Sequence, residues 1–351
     1  MKGKITVLVG GQYGSEGKGA IAAHIAEEYD VHVRVGSPNA GHTIYWNGEK
    51  HVMQTIPCGW INENAEIVIG RGSLINMKFL MREIMHILKY FPDFLYRLHI
   101  DPEAGVLDER FHEEEGGIDG EMHKRIGSTG EGVGPARIAR IERDPSKFRL
   151  FKDVAHEYGL DECIAYNTPS KISMWQNVGR NILVEGTQGS ALSLFHSFWP
   201  YCTSTDTNAA GIIADVGIAP TRVSDVIMVC RTFPIRVAGN SGPMRNEISW
   251  DEIVDASGNQ ITPEKTTVTH KVRRIARWDY NLYRQSCILN DPSCIALTFA
   301  DYIDPMLYGA TTKERIMQSK ALSEFMVKHE IIDKVKYIGT GPQTVVNMWG
   351  E

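Results

Sequence analysis

The chain has 351 residues, with 37 Lys and Arg against 43 Asp and Glu, and its formal net charge is -6. This length allows one large domain, and the acidic balance excludes a global basic field for nucleic acid. The six cysteines are scattered without a C-x-x-C pair, which excludes zinc-ribbon spacing and predicts a reduced protein. No leader sequence and no apolar run of roughly 18 residues stands out. We therefore expect a cytoplasmic protein with no nucleic-acid or membrane partner.

Apolar runs alternate with helical patterns along the chain. Strands are expected at 4–9, 31–35, 66–70, 182–185, 223–229, 295–299 and 335–338, and helices at 20–29, 74–90 and 313–329. This alternation predicts an α/β fold in which a mostly parallel sheet carries helices on both faces. The acidic stretch near 101–125 predicts an irregular insertion within a single domain that covers 1–351. Ligands of such sheets bind at the carboxyl ends of strands, so the polar turns after the strands are candidate site residues.

The first of these turns is "GGQYGSEGKG", Gly10–Gly19. It resembles a Walker A loop without matching one, because Gln12 replaces the first glycine and Gly19 replaces the Ser or Thr. Its glycines let backbone N–H groups turn toward an anion, and the helix that begins near Lys18 adds a positive end. The loop predicts phosphate binding, although glycine-rich turns after strands are common.

Other polar loops follow later in the chain. "SPNAGHT" offers an amide and an imidazole, although a lone loop histidine is more often structural. The helix after "GSTGEGVGPA" carries arginines at a spacing of three, typical of a solvated basic face or of an anion site. "TTVTHKVRRIAR" suits nucleic acid or a small dianion, and the acidic chain favours the dianion. The remaining loops are "VEGTQG" at 184–189 and "PYCTST" at 200–205.

Taken in order, these loops resemble the adenylosuccinate synthetase family. The match runs from "GQYGSEGKG" through "NAGHT", "GSTGEGVGP", "VEGTQG", "PYCTST" and "TTVTHKVRR" to "GTGP", over nearly the whole chain. The resemblance implies a P-loop-NTPase-like fold and a carbon–nitrogen ligase with two steps. A nucleoside triphosphate phosphorylates the 6-oxygen of a purine monophosphate, and the amine of L-aspartate then displaces that phosphate. It also implies Mg²⁺ as cofactor and a homodimer.

The resemblance assigns roles residue by residue. Ser15 and His42 take the catalytic positions, and Ser15 and Gly41 those that contact the metal. Arg143, or Arg140 in an alternative register, would reach the substrate of the partner subunit. The triphosphate would contact Gly14, Ser15, Glu16, Gly17, Lys18, Gly19, Gly41, His42, Thr43, Asp301, Thr340, Gly341 and Pro342. The purine monophosphate would contact Ser15, Asn39, Ser128, Thr129, Arg143, Gln188 and Thr203. L-aspartate would contact Thr267, Val268, Thr269, Arg273 and Arg274.

One departure from the family pattern concerns the purine substrate. The usual motif is G-D-E-G-K-G, whose Asp takes the N1 proton and binds the metal, and Ser15 stands in its place. A serine is a poor base, but it leaves room for the 2-amino group of guanine and can accept its hydrogen bond. This resembles phage members of the family that make N6-succino-2-amino-2'-deoxyadenylate from dGMP for 2-aminoadenine DNA. We therefore predict that activity; the alternatives are an ordinary synthetase acting on IMP and an inactive nucleotide-binding regulator.

A second departure concerns the phosphate donor. The family reads guanine with T-K-x-D, whereas "TFADYID" keeps Asp301 and replaces the lysine with Phe299. The lysine stem packs on the base, so its loss argues against GTP. We predict ATP or dATP as the donor.

Overall fold

A computed structural model describes residues 1–266 and 271–350. The strands lie, in chain order, at β1 Ile5–Gly10, β2 Val31–Arg34, β3 His42–Trp46, β4 Glu49–Met53, β5 Glu66–Ile69, β6 Leu74–Ile75, β7 Leu98–Ile100, β8 Gly105–Val106, β9 Ile182–Glu185, β10 Asp225–Arg231, β11 Ile235–Arg236, β12 Glu247–Ile248, β13 Arg274–Ala276, β14 Cys294–Thr298, β15 Val335–Gly341 and β16 Thr344–Asn347. The α-helices lie at α1 Lys18–His24, α2 Met77–Ile87, α3 Glu109–Glu115, α4 Glu121–Ile126, α5 Val133–Glu142, α6 Phe151–Val154, α7 Thr168–Asn177, α8 Ala209–Val216, α9 Tyr280–Asn290, α10 Lys313–Met317 and α11 Lys320–Lys328.

The central sheet has nine strands in the order β16-β15-β14-β10-β1-β9-β2-β5-β7. All neighbouring pairs are parallel except β15 and β16. A parallel sheet is covered on both faces, so its strands are apolar throughout. In β1, Leu8 packs into one core with α1 and α2, whereas Val7 and Val9 pack into another with α7, α8 and α11. The predicted α/β class is confirmed.

Several predicted element boundaries were wrong, and local capping explains two of them. The helix expected at 74–90 begins only at Met77, because Asn76 accepts the backbone N–H groups of Lys78 and Phe79 as an N-cap. Leu74–Ile75 forms β6 instead. The helix expected at 313–329 is broken into α10 and α11 by Ser319, which caps the second.

Two further expectations also need correction. The helix expected at 20–29 begins earlier, at Lys18, and continues beyond His24 as a 3-10 turn at Ala26–Glu28. The acidic stretch near 101–125 is not irregular, because it contains β8, α3 and most of α4. Gly116 closes α3 with a positive φ of 74°, a common helix C-terminus.

Among the described residues, no helix is long and apolar enough to cross a bilayer.

Candidate active site

A cavity of about 1290 Å³ lies over the loops that follow β1, β2, β9 and β14. The carboxyl ends of these strands point toward the cavity, and open parallel sheets bind ligands at that end. The predicted site residues that line it are Gly14, Ser15, Glu16, Gly17, Lys18, Gly19, Asn39, Gly41, His42, Thr43, Ser128, Thr129, Gln188, Arg273, Asp301, Gly341 and Pro342.

The loop after β1 has an unusual backbone. Gly14, Ser15 and Gly17 have φ of 86°, 58° and 92°, so the chain repeatedly enters the left-handed region. Such a run turns successive N–H groups to one side and forms an anion-binding concavity, and α1 begins directly behind it. Ser15 is exposed to the cavity. The local geometry is that of a phosphate loop.

Glu16 lies inside this loop. Its carboxylate accepts the backbone N–H groups of Gln12 at 3.1 Å and Gly14 at 2.8 Å, and it pairs with Lys18 Nζ at 2.7 Å. Lys18 also donates to the Gln188 carbonyl oxygen. Glu16 is fully buried, so it orders the loop from within. A Cβ at Gly19 would lie 2.8 Å from the Thr43 carbonyl oxygen, and glycine is therefore needed for α1 to approach β3.

His42 begins β3 and is held by a buried carboxylate. Its Nδ1–H donates to Glu185 Oε1 at 2.5 Å, while Arg34 pairs with the same oxygen at 3.0 Å. Burial, followed by the Arg34 charge, lowers the pKa of His42 to about 4. Burial opposes ionisation of Glu185, but the Arg34 charge and the His42 hydrogen bond outweigh it and lower its pKa to about 2. At neutral pH the site therefore holds a carboxylate, a guanidinium and a neutral imidazole.

Glu185 and Arg34 also contact the backbone around His42. Its Oε2 accepts the Cys58 backbone N–H at 2.7 Å, and Arg34 donates to the Ala40 carbonyl at 2.8 Å, next to Asn39 and Gly41. The His42, Cys58 and Glu185 side chains bring possible metal ligands within 4.8 Å of one another. The Arg34 charge on the same carboxylate opposes a cation there. The arrangement is suited to orienting His42.

Polar groups at another side of the cavity come from three separate loops. Gln188 Nε2 donates to Asn39 Oδ1 at 3.3 Å, and Gln188 itself has a positive φ of 63°. Ser128 donates to Glu115, and the Gly130 backbone N–H donates to Ser128 Oγ at 3.3 Å. These amide and hydroxyl groups can both donate and accept, as binding of a phosphorylated sugar and a purine edge requires.

The far end of the cavity is mostly aromatic and apolar. Phe299, Tyr302, Tyr308 and Pro342 line it together with two carboxylates, Asp301 and Glu264. Asp301 Oδ1 is buried without a hydrogen-bond partner among the described residues, and burial raises its pKa to about 6. An aromatic and apolar wall that also carries carboxyl groups suits a nucleobase that offers an N–H group.

Comparison with known proteins decides the family. The family model for adenylosuccinate synthetase matches residues 7–171 and 159–338. The chain is 37% identical over 343 residues to the adenylosuccinate synthetase of Methanocaldococcus jannaschii, covering 96% of this chain and 94% of that protein. It is 35% identical over 341 residues to that of Methanococcus maripaludis strain C6, covering 96% of each.

The chain belongs to the adenylosuccinate synthetase family. It is accordingly a carbon–nitrogen ligase.

Two solved structures of adenylosuccinate synthetase type share this fold. One is cyanophage S-2L succinoaminodeoxyadenylate synthetase bound to dGMP and dATP, with a TM-score of 0.82, 28% identity, and coverage of 100% of this chain and 97% of that one. The other is the fully ligated adenylosuccinate synthetase of Plasmodium falciparum, with a TM-score of 0.82, 20% identity, and coverage of 98% and 100%. The second shows the fold alone.

Some residues assigned from the family pattern lie outside the cavity. Thr340 is fully buried, and its hydroxyl donates to the Ala310 carbonyl at 2.7 Å, so its side chain is used within the fold. Arg274 pairs with Glu247 at 2.7 Å and does not line the cavity. Thr203 does not line it either, so the cavity formed by a single chain includes neither side chain. Thr267, Val268 and Thr269 lie outside the described residues.

The two arginines expected, in alternative registers, to reach a partner subunit differ in their surroundings. Arg140 donates to the Glu103 carbonyl at 3.0 Å and covers the Phe148 ring, so it is engaged within its own chain. Arg143 ends α5 with a φ of 59°, is exposed, and does not line the cavity of its own chain. Arg143 therefore remains the better candidate for a contact across a dimer.

Sequence reasoning missed four residues that organise the adenylosuccinate synthetase site. Arg34 and Glu185 hold His42, whereas Arg231 and Glu264 form an ion pair beside the phosphate loop. Glu185 lies in the "VEGTQG" motif, and its charge inside an apolar strand was the signal that could have identified it. Arg231 ends a strand in the same way.

Proposed function

We propose that this synthetase joins L-aspartate to C6 of dGMP with hydrolysis of ATP or dATP, through a 6-phosphoryl intermediate. The product would be N6-succino-2-amino-2'-deoxyadenylate, a precursor of 2-aminoadenine DNA. The observation that carries the proposal is Ser15, an exposed hydroxyl residue at the cavity wall where the family pattern has an Asp.

Ser15 differs from the Asp of the family pattern in both size and charge. Guanine differs from hypoxanthine by an amino group at C2, beside the N1 edge that this residue faces in the family pattern. A carboxylate placed for N1 would crowd that amino group, whereas a serine hydroxyl is smaller and can accept its hydrogen bond. The cyanophage enzyme that shares this fold was solved with dGMP and dATP bound, which supports the same substrates here.

The far end of the cavity supports an adenine-type donor. Phe299 offers an aromatic face and no ammonium group, and the Asp301 carboxyl group at the cavity wall can accept from an exocyclic amino group. Guanine recognition by the T-K-x-D pattern would require the lysine stem that this chain lacks. ATP and dATP differ only at the 2'-hydroxyl, so both are proposed.

Different residues of the chain would serve different steps of the reaction. The left-handed loop and Lys18 would hold the triphosphate, and the γ-phosphoryl group would pass to the 6-oxygen as the nucleoside diphosphate leaves. His42 would stabilise the charge that develops there once its Nε2 takes up a proton, because Glu185 can stabilise the resulting imidazolium at Nδ1. The aspartate amine would then form the C6–N bond as inorganic phosphate leaves. Arg273 at the cavity wall would bind a carboxylate of L-aspartate.

Magnesium fits the neutral oxygens at the phosphate loop. The Ser15 hydroxyl and the Gly41 carbonyl both belong to exposed cavity residues, and Mg²⁺ accepts such oxygens together with waters and substrate phosphates. When bound, the ion would neutralise phosphate charge during transfer. We also propose a homodimer in which Arg143 contacts the partner subunit's purine nucleotide.

A second candidate function is ordinary adenylosuccinate synthesis from IMP. It is favoured by the names of the archaeal relatives, which are 35–37% identical. The inactive regulator is less well supported, because the His42–Glu185 pair and Lys18 are both present in the site.

The test is product formation from dGMP and IMP in separate reactions with magnesium, L-aspartate and ATP. Mass spectrometry would detect the succinylated nucleotide. We expect product from dGMP. Product from IMP alone would contradict the proposed substrate, and no product from either, despite nucleotide binding, would favour the regulator.

A further inference from the structure

Arg231 ends β10 beneath the phosphate loop and is fully buried. Its backbone is held by a side chain of that loop, because its N–H donates to Gln12 Oε1 and its carbonyl accepts from Gln12 Nε2, both at 3.0 Å. Its position is therefore tied to the loop that carries Ser15.

The guanidinium group of Arg231 contacts three parts of the site. Nη1 donates to the Ser15 carbonyl at 3.2 Å, and the two Nη atoms contact the Glu264 carboxylate at 3.3 and 2.5 Å. The guanidinium carbon lies 3.7 Å from the centroid of Phe299, within cation–π range. One planar group thus joins the phosphate loop, Glu264 and the proposed donor-base slot.

Glu264 is joined through the backbone to Arg273, one of the residues expected to bind L-aspartate. Its carbonyl accepts the Arg273 backbone N–H at 2.8 Å, and Lys265 and Val272 form the next bridge. Tyr302 beside the slot also donates to Glu264, at 3.2 Å. Although burial opposes ionisation of Glu264, the Arg231 charge lowers its pKa. A movement of the Arg231 guanidinium would therefore shift Glu264 and, through the backbone hydrogen bond, Arg273.

The pair is poorly explained by stability alone. Arg231 Nε is buried and has no hydrogen-bond partner among the described residues. Burying a guanidinium costs desolvation energy that an ion pair often fails to recover, and an unmade hydrogen bond adds to it. Geometry is the better reason for an arginine here, because its fork can bridge two acceptors while its face packs on a ring.

We propose that Arg231 and Glu264 are positioning residues that couple the binding of the phosphate donor to the binding of L-aspartate. This inference rests on the proposed function for the location of both ligands. A donor bound against the phosphate loop and Phe299 fixes the position of the Arg231 guanidinium. That position fixes Glu264, whose carbonyl holds the backbone N–H of Arg273. By linkage, L-aspartate then strengthens donor binding by the same factor.

The test measures the affinity of the intact enzyme for L-aspartate by calorimetry, with and without saturating ATP and magnesium. No purine monophosphate is added, so the outcome does not depend on whether the substrate is dGMP or IMP. We expect ATP to tighten L-aspartate binding by about fivefold or more in the native protein, within the usual range of coupling between sites. In Glu264→Gln this ratio falls below about twofold, because the neutral amide cannot hold the guanidinium fork.

Glu252→Gln is the matched control. It neutralises a carboxylate that pairs with Arg277 on the surface, outside the cavity, and the ratio should stay at the native value. If Glu264→Gln does not fold, Glu264→Asp shortens the arm by one methylene group and should lower the ratio in the same way. A native protein without coupling would overturn the proposal. So would a Glu264 variant that is less stable but keeps the full ratio.

Discussion

Replacing Glu185 with Gln tests how His42 is held. The substitution keeps the side-chain shape but removes the charge that faces Arg34 and His42. A hydrogen bond to a charged group contributes roughly 1.5–3 kcal/mol, and if that much is lost from the transition state, kcat falls about 10- to 150-fold. Because Arg34 is buried and loses its counter-charge, we also expect the free energy of unfolding to fall by roughly 3–5 kcal/mol.

Steady-state turnover and denaturant unfolding would measure the two effects separately. Glu66→Gln is a matched control, since Glu66 pairs with His99 at 2.6 Å outside the cavity, and its kcat should stay native. In a His42→Ala background, Glu185→Gln should lower kcat no further, because its kinetic effect acts through the imidazole. Native turnover in the single variant, or an equal loss without His42, would refute the reasoning.

Three further predictions concern other residues of the site. Ser15→Asp should lower kcat/KM for dGMP by about tenfold or more, because a carboxylate that crowds the 2-amino group would cost about 1.4 kcal/mol or more of transition-state binding. We expect some gain for IMP, and unchanged use of dGMP would contradict the steric account. Burial raises the pKa of Asp301 from 3.8 to about 6, so the folded state favours its protonated form and loses stability as pH rises between these values. Asp301→Asn should therefore raise the free energy of unfolding more at pH 8 than at pH 4, by up to about 3 kcal/mol. An equal change at both pH values would contradict this prediction. Arg143→Ala should sharply lower turnover without changing the melting temperature, because Arg143 is exposed. If the arginine acts across a dimer, mixing this variant with His42→Ala subunits should restore part of the activity. No recovery would contradict a role of Arg143 in the partner's site.

The class of the fold and most of the cavity wall could be predicted from the sequence. Buried parallel strands need continuous apolar runs, and the turns that follow them need glycine or short polar residues, so both leave local patterns. This is why "KITVLV" and the loop that contains Ser15 were recognised, and why the family motifs fell on cavity residues such as Asn39 and Gln188. Helix ends were predicted less well where a cap such as Asn76 or Ser319 interrupted an apolar pattern.

Only the tertiary structure showed how the site residues are held. Glu185 and His42 are 143 positions apart, and Ser15 and Arg231 are 216 positions apart, so neither contact leaves a local pattern. The sequence indicated that the protein would bind a nucleotide and which loops would face it. The packing of distant strands decided that a carboxylate orients His42, that Thr340 is used inside the fold, and that one buried arginine joins three parts of the cavity. These contacts depend on distance in space, and distance along the chain does not predict them.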